Sequence, residues 1–356
     1  MKIHNFSSGP SILPPEVIQA TSDAVLNFNN MGLSIIEISH RTPAFVSILE
    51  EARSLALSLM GLSNHTHTAL FLSGGASMEF VRVAYNLFTK DGTAGYVNTG
   101  NWSNNAIKEA SLIGKVFEVA SSENEGYSYI PKEYNVPNYL DYLHITSNNT
   151  IYGTQYKKFP NTNIPLVCDM SSDIFSRDIN FSQFDLIYAG AQKNIGTSGV
   201  NMVIIKNSLL ERCNNQIPNI MSYAKHKEKD SLFNTPSVLA IYTCYLTLKW
   251  LRNLGGIKEI EKKNEAKANL MYSEIDRNEL FRGTAKEEDR SLMNATFFLK
   301  NEKLSSRFDK LLVDNGISGL QGHRIVGGYR ASMYNALPLD SVLSLVQVMQ
   351  YFESKQ

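Results

Sequence analysis

The chain has 356 residues, 43% of them hydrophobic and 19% charged, with 34 basic side chains set against 34 acidic ones. That size suits a large globular domain plus a smaller one, and the balanced charge leaves no field to draw in nucleic acid or an anionic membrane. Three scattered cysteines, Cys168, Cys213 and Cys244, supply neither a disulfide framework nor a zinc site and point to a reducing compartment. The opening MKIHNFSSGPSILPP has no apolar run of signal-peptide length, so a cytoplasmic protein is expected.

Apolar residues at helical spacing predict helices over 15–28 and 44–60, the second stopping at Gly61. From there the text alternates. TALFL (68–72) reads as a strand, 77–88 as a helix, GTAGYVN (92–98) as a strand and 103–112 as a helix. KVFEVA (115–120), YLHIT (142–146), PLVCDM (165–170), FDLIYAG (184–190) and VNMVIIK (200–206) read as further strands. Strands alternating with helices argue for an α/β fold whose mainly parallel sheet is covered on both faces. After a helix over 237–253 the texture changes at Gly255 and Gly256. A charged helix over 257–277, a strand at 294–300, a helix around 305–314, a strand at 329–334 and a helix over 340–353 make an α+β pattern. The expected division is a large domain over 13–255 and a small C-terminal domain over 256–356, with residues 1–12 packed on the latter.

Ligands of open parallel sheets bind at the carboxyl ends of the strands, so the residues just beyond each strand are the candidates. SGGAS (73–77) opens a helix with two glycines, which lets backbone N–H groups approach a phosphate; no lysine follows at P-loop spacing, so a nucleoside triphosphate is not indicated. Trp102, read as part of the loop TGNWSNN (99–105), suits either stacking on a flat ring or filling a core. Asp169, after four apolar residues, suits either a helix cap or the partner of a protonated ring nitrogen. Lys193 in YAGAQKNIGTSG (188–199) follows an apolar strand and stands among small uncharged neighbours. Desolvation there lowers the amine's pKa and makes it a nucleophile toward a carbonyl. A phosphate cradle, an aromatic plate, a carboxylate and an amine able to form a Schiff base are together what pyridoxal 5'-phosphate requires. His40-Arg41 in IEISHRTPAF (36–45), and His323-Arg324 with Arg330 in GHRIVGGYRASMYNALP (322–338), form a candidate anion pocket whose spacing does not identify the anion.

Taken in order, NFSSGPSILP (5–14), ISHRTPAF (38–45), FLSGGASMEF (71–80), YVNTGNWS (96–103), NNTIYGT (148–154), DMSSDIFSR (169–177), GAQKNIG (190–196), DSLFNTPS (230–237) and the GHRIVGGYRAS segment are familiar. The chain resembles, essentially end to end, the phosphoserine aminotransferase family of class V, fold type I pyridoxal-phosphate enzymes. The resemblance implies a large domain with a mainly parallel seven-stranded sheet and a smaller α+β domain. It makes Lys193 the Schiff-base lysine, sets Asp169 against the pyridine nitrogen and stacks Trp102 on the ring, with Thr150 touching it. Ala76, Ser77 and Gln192 serve the phosphate end, and Asn234 and Thr235 reach the cofactor phosphate of a neighbouring subunit, which implies a homodimer with shared sites. Arg330 takes the substrate α-carboxylate, and His40, Arg41, His323 and Arg324 the distal carboxylate or phosphate. No metal is implied. The reaction is then amine transfer from L-glutamate to 3-phosphohydroxypyruvate, with the 4-phosphohydroxythreonine pair of vitamin B6 synthesis as a further substrate. Some members carry arginine at the position of Ser77; without it the substrate phosphate is expected to rest on the other His and Arg residues, helped by Arg82 one turn along. A cysteine desulfurase needs a late loop cysteine, and none follows Cys244. A serine- or alanine-glyoxylate aminotransferase needs fewer anion-binding arginines, while a non-catalytic pyridoxal-phosphate protein would keep the cofactor residues alone.

Overall fold

The computed structural model describes residues 2–356. Seven strands form the main sheet: β1 (His67–Ser73), β2 (Thr93–Asn98), β3 (Lys115–Ser121), β4 (Leu143–Thr146), β5 (Leu166–Asp169), β6 (Leu186–Gly190) and β7 (Val200–Lys206). Their spatial order is β1-β7-β6-β5-β4-β2-β3. Only β7 runs antiparallel to its neighbours, so the sheet is mixed at one place and parallel elsewhere. The period of two along each strand divides the core. Phe71, Ile145, Cys168, Ile187 and Met202 face one layer of helices, while Leu70, Leu72, Val167, Leu186, Tyr188 and Val203 face the other. Both faces being covered, the inner strands read as nearly continuous apolar runs.

The helices on the first face carry the matching stripe. In Pro43–Leu59 the buried Phe45, Ile48, Leu49, Ala52, Leu55 and Ala56 recur at helical spacing; Thr42 caps the start, Pro43 opens the first turn, and Gly61 with φ +67° ends the run. That helix packs on β1 and on Val238–Asn253.

Beyond Gly256 a second sheet holds β8 (Phe281–Gly283), β9 (Asn294–Leu299) and β10 (Tyr329–Ser332), all antiparallel, under the helices Ile257–Arg277, Ser305–Asp314 and Leu339–Glu353. The short strand His4–Asn5 pairs in parallel with Ile317–Ser318, and Phe6 is buried in this second core. The long helix Ile257–Arg277 belongs to both bodies: Ile257 and Ile260 lie in the first core, Ala268, Met271 and Ile275 in the second. Packing changes allegiance between Ile260 and Ala268, about one to three turns after the Gly pair.

Candidate active site

Every parallel strand delivers its carboxyl end to the same side, and a cavity of about 350 Å³ opens there. β1 ends at Ser73, and the next residues turn into the helix Ala76–Leu87. Gly74 has φ +119°, and a Cβ there would sit 3.1 Å from the Met78 Cβ, so the tight entry excludes a side chain. Gly75 occupies the N-cap without a side-chain cap, which leaves the Ala76 and Ser77 ends of the helix facing the cavity. Among the described residues this is an anion cradle by construction.

Trp102 also lines the cavity, but from the first turn of the helix Asn101–Ser111 and not from a loop. Its indole N–H donates to Thr150 Oγ1 at 3.0 Å, and the Lys193 Nζ lies 5.8 Å from its ring centroid. Asp169, at the end of β5, is buried, and its Oδ1 accepts the Ser171 N–H at 2.9 Å. The side chain therefore caps the following turn and lines the cavity at once. Burial pushes its carboxyl up, opposed by the Ser171 hydrogen bonds and by the Lys193 charge.

Lys193 lines the cavity and is half-buried. Burial brings its amine down to about 8, with Asp169 opposing and the Arg330 charge assisting. Its backbone is pinned from an unexpected quarter: Ser11 Oγ donates to the Lys193 carbonyl at 2.7 Å, and the Ser11 N–H to the Gln192 carbonyl at 3.0 Å. Gly9, with φ +134°, passes so close that a Cβ would stand 3.4 Å from Lys193 Cγ. On the opposite wall Arg330 is buried on β10, donating Nη1 to the Thr150 carbonyl at 3.2 Å and Nη2 to Ser8 Oγ at 2.6 Å, both neutral, while its Nε has no partner among the described residues. An uncompensated guanidinium at such depth is costly and is satisfied by an incoming anion. His323 lines the same wall and accepts the Ile325 N–H at Nδ1, 3.3 Å away. Burial, with Arg330 and Arg324 beside it, lowers its pKa, so the ring is neutral and offers Nε2–H as a donor.

Of the residues expected from sequence, Ala76, Ser77, Trp102, Thr150, Asp169, Gln192, Lys193, His323 and Arg330 meet in this one cavity. His40, Arg41, Arg324, Asn234 and Thr235 do not line it; Arg41, Arg324 and Thr235 are exposed. Arg82 is a correction. It points into the protein, only 3% exposed, and pairs with the buried Glu79, which also accepts the Tyr223 hydroxyl at 2.6 Å and Asn201 Nδ2. At i+3 in a helix it shares a face with Glu79, and burial of that carboxylate claims it. The wall residues Ser8, Gly9, Thr146 and Asn148 were not anticipated; a glycine between small polar residues and a proline was the only local signal.

This fold, with a desolvated lysine facing a buried carboxylate across the strand ends, is shared by a known class of transferases. The family model of the class V aminotransferases matches residues 3–345, and the chain belongs to that family. Its similarity narrows further. It is 58% identical to the phosphoserine aminotransferase of Flavobacterium psychrophilum and 57% identical to that of Flavobacterium johnsoniae, with 100% of this chain and of each relative covered. It also overlays on the phosphoserine aminotransferase from Bacillus circulans subsp. alkalophilus, 41% identical, with a TM-score of 0.96 over 99% of both chains. A PLP-bound phosphoserine aminotransferase from Trichomonas vaginalis, 32% identical, matches with a TM-score of 0.92 over 98% of this chain and 100% of that one.

Proposed function

We propose that the chain transfers the amine of L-glutamate to 3-phosphohydroxypyruvate, giving 2-oxoglutarate and O-phospho-L-serine, and that it does so with pyridoxal 5'-phosphate in the cavity described above. The observation that carries this is the pairing, in one cavity, of a desolvated amine at Lys193 with an arginine, Arg330, that has no anionic partner. The donor set fits the cofactor. The uncapped helix end at Ala76 and Ser77, with Gln192, would hold its phosphate; Trp102 and Thr150 would hold the ring; Asp169 would meet the ring nitrogen; and the buried Thr146 Oγ1 on the same wall has no partner among the described residues. When bound, the pyridoxal ring draws electrons away from the substrate α-carbon and makes its proton removable.

The chain's own residues do the rest. Arg330 grips the α-carboxylate through a charge-assisted fork, which fixes the α-carbon beside the Lys193 amine. Lys193 Nζ takes the α-proton and returns it on the far side of the transfer, a task suited to an amine whose pKa lies near the working pH. Neutral His323 donates to the distal carboxylate or phosphate. The five residues outside this cavity are supplied across an interface between two copies: Asn234 and Thr235 complete the neighbour's phosphate site, and His40, Arg41 and Arg324 its distal anion site. The exposed Ile18, Leu26, Met31, Leu33 and Ile36, which lie just ahead of His40 in sequence, support such a covered face. The enzyme works in the cytoplasm, and 4-phosphohydroxythreonine is the second substrate to assay.

The test is direct: purified protein with the cofactor should form O-phosphoserine from glutamate and 3-phosphohydroxypyruvate. Lys193→Ala should lose roughly a thousandfold or more in turnover while its circular dichroism stays unchanged. Near-normal turnover in that variant would overturn the mechanism.

A further inference from the structure

Arg330 and Lys193 sit on different bodies of the protein, one on β10 and the other just beyond β6. Amine transfer needs the carboxylate held by the first and the proton taken by the second to be in register within a fraction of an ångström. Something must set that distance. The residues that run between them are three buried asparagines: Asn194, Asn264 and Asn335 are 5%, 0% and 5% exposed.

Their bonds form a continuous line. Asn194, next to the lysine, receives at Oδ1 the Asn335 N–H (3.0 Å) and gives its own Nδ2–H to the Ile174 carbonyl (3.1 Å). Asn335, five residues past Arg330, gives Nδ2–H to the Phe175 carbonyl (3.1 Å) and receives Asn264 Nδ2–H at Oδ1 (2.9 Å). Asn264 donates as well to the Ser176 carbonyl (2.9 Å), from the stretch of the long helix where packing passes from one core to the other. One turn on, the buried Lys267 donates to the Met333 and Tyr334 carbonyls at 2.9 and 2.7 Å, holding the backbone between Arg330 and Asn335. Each of these amides is too deep to find water if a partner is lost. The line is therefore kept whole or broken as a unit.

We propose that Asn194, Asn335 and Asn264, braced by Lys267, are positioning residues that fix the Arg330 guanidinium at the distance from the Lys193 amine that transfer requires. None of them lines the cavity, so none touches substrate. Their action is through the two residues that do. This rests on the roles given above to Lys193 and Arg330.

The experiment uses the holoenzyme and steady-state kinetics with glutamate for Asn194→Ala, Asn335→Ala and the double variant, with Lys193→Ala and Arg330→Ala alongside. A misplacement near an ångström costs up to about a hundredfold, so each asparagine variant should lose about tenfold or more in kcat while KM for glutamate stays within about twofold. Because the Asn194 side chain holds the Asn335 backbone N–H while the Asn335 side chain holds Phe175 and Asn264, both variants loosen the same residue, and the double variant should be no slower than the worse single variant by more than about twofold. Unchanged kcat overturns the proposal. So does a rise in KM in step with a lowered melting temperature, which marks a merely structural role, and so do losses that multiply in the double variant. Should Asn335→Ala not give folded holoenzyme, Asn194→Ala, which leaves both side-chain bonds of Asn335 in place, carries the same expectation. Failure of Lys193→Ala and Arg330→Ala to impair the reaction would instead sink the function on which the proposal stands.

Discussion

The chemistry of Lys193 is set by what surrounds it. A lysine in water titrates near 10.4 and holds well under a thousandth of its amine in the neutral form at pH 7. Brought down to about 8, Lys193 holds roughly a tenth, because a desolvated ammonium is disfavoured and the neighbouring Arg330 charge disfavours it further. Asp169 pulls the other way and loses to burial. The reactive form of the amine is the neutral one, so reactivity should rise through the folded-state pKa. Labelling of the cofactor-free protein with an amine reagent, followed by peptide mapping, should reach half its maximal rate at Lys193 near pH 8; a midpoint above 10 would show an ordinary surface lysine. This setting was legible in sequence, since an apolar strand ending in small residues forecasts desolvation without knowledge of the fold. Ser8, whose hydroxyl meets Arg330 across 322 positions, was not, because nothing local marks a contact made by chain closure.

Among the elements, the N-terminal segment does more than its length suggests. His4 and Asn5 are paired to the second body while Ser8 to Ser11 cross the site, so the segment ties Arg330 and Tyr334 to the lysine loop. Gly9→Ala should therefore act twice. The backbone at φ +134° costs an alanine about 1–3 kcal/mol, and its Cβ would come into van der Waals contact with Lys193 Cγ at 3.4 Å. Gly61→Ala, at φ +67° with nothing near its Cβ, meets strain alone. Thermal melting should fall in both variants, but only Gly9→Ala should lower kcat; equal kcat in the two would remove the contact with Lys193 from the account. The helix after Gly100 shows a different limit of sequence reading. Trp102 reads as a loop residue because polar residues flank it, whereas the same residues serve in the first turn of Asn101–Ser111, and helix ends are where local signals are weakest. Arg82 misled for a related reason: its spacing was right, but Glu79 and Tyr223 take it into the core.

At the scale of the whole molecule the expected site residues that lie outside the cavity favour a dimer. Nine expected residues converge within one chain and five remain outside that cavity. In a homodimer with shared sites, a chain lacking Lys193 and a chain lacking Arg41 each form dead homodimers, yet their mixed dimer keeps one intact site. Refolding Lys193→Ala with Arg41→Ala in equal amounts should restore up to about a quarter of wild-type turnover, since half the dimers are mixed and each carries one working site of two. Activity no greater than that of either variant alone would mean that each chain builds its site by itself.

By itself the sequence determined the alternation of strands and helices, and with it the side of the sheet where chemistry occurs. It also determined which four residue types follow the strand ends, because hydrophobic periodicity and small residues at turns are local properties. Its order of motifs determined the family. Only the tertiary structure decided that β7 is antiparallel, that Arg82 is a buried partner and not a substrate ligand, and that Ser8, Gly9 and three asparagines bind Arg330's body to the lysine loop. Those outcomes depend on which distant groups share a buried volume, and a buried polar group takes the partner that the fold brings within reach of a hydrogen bond.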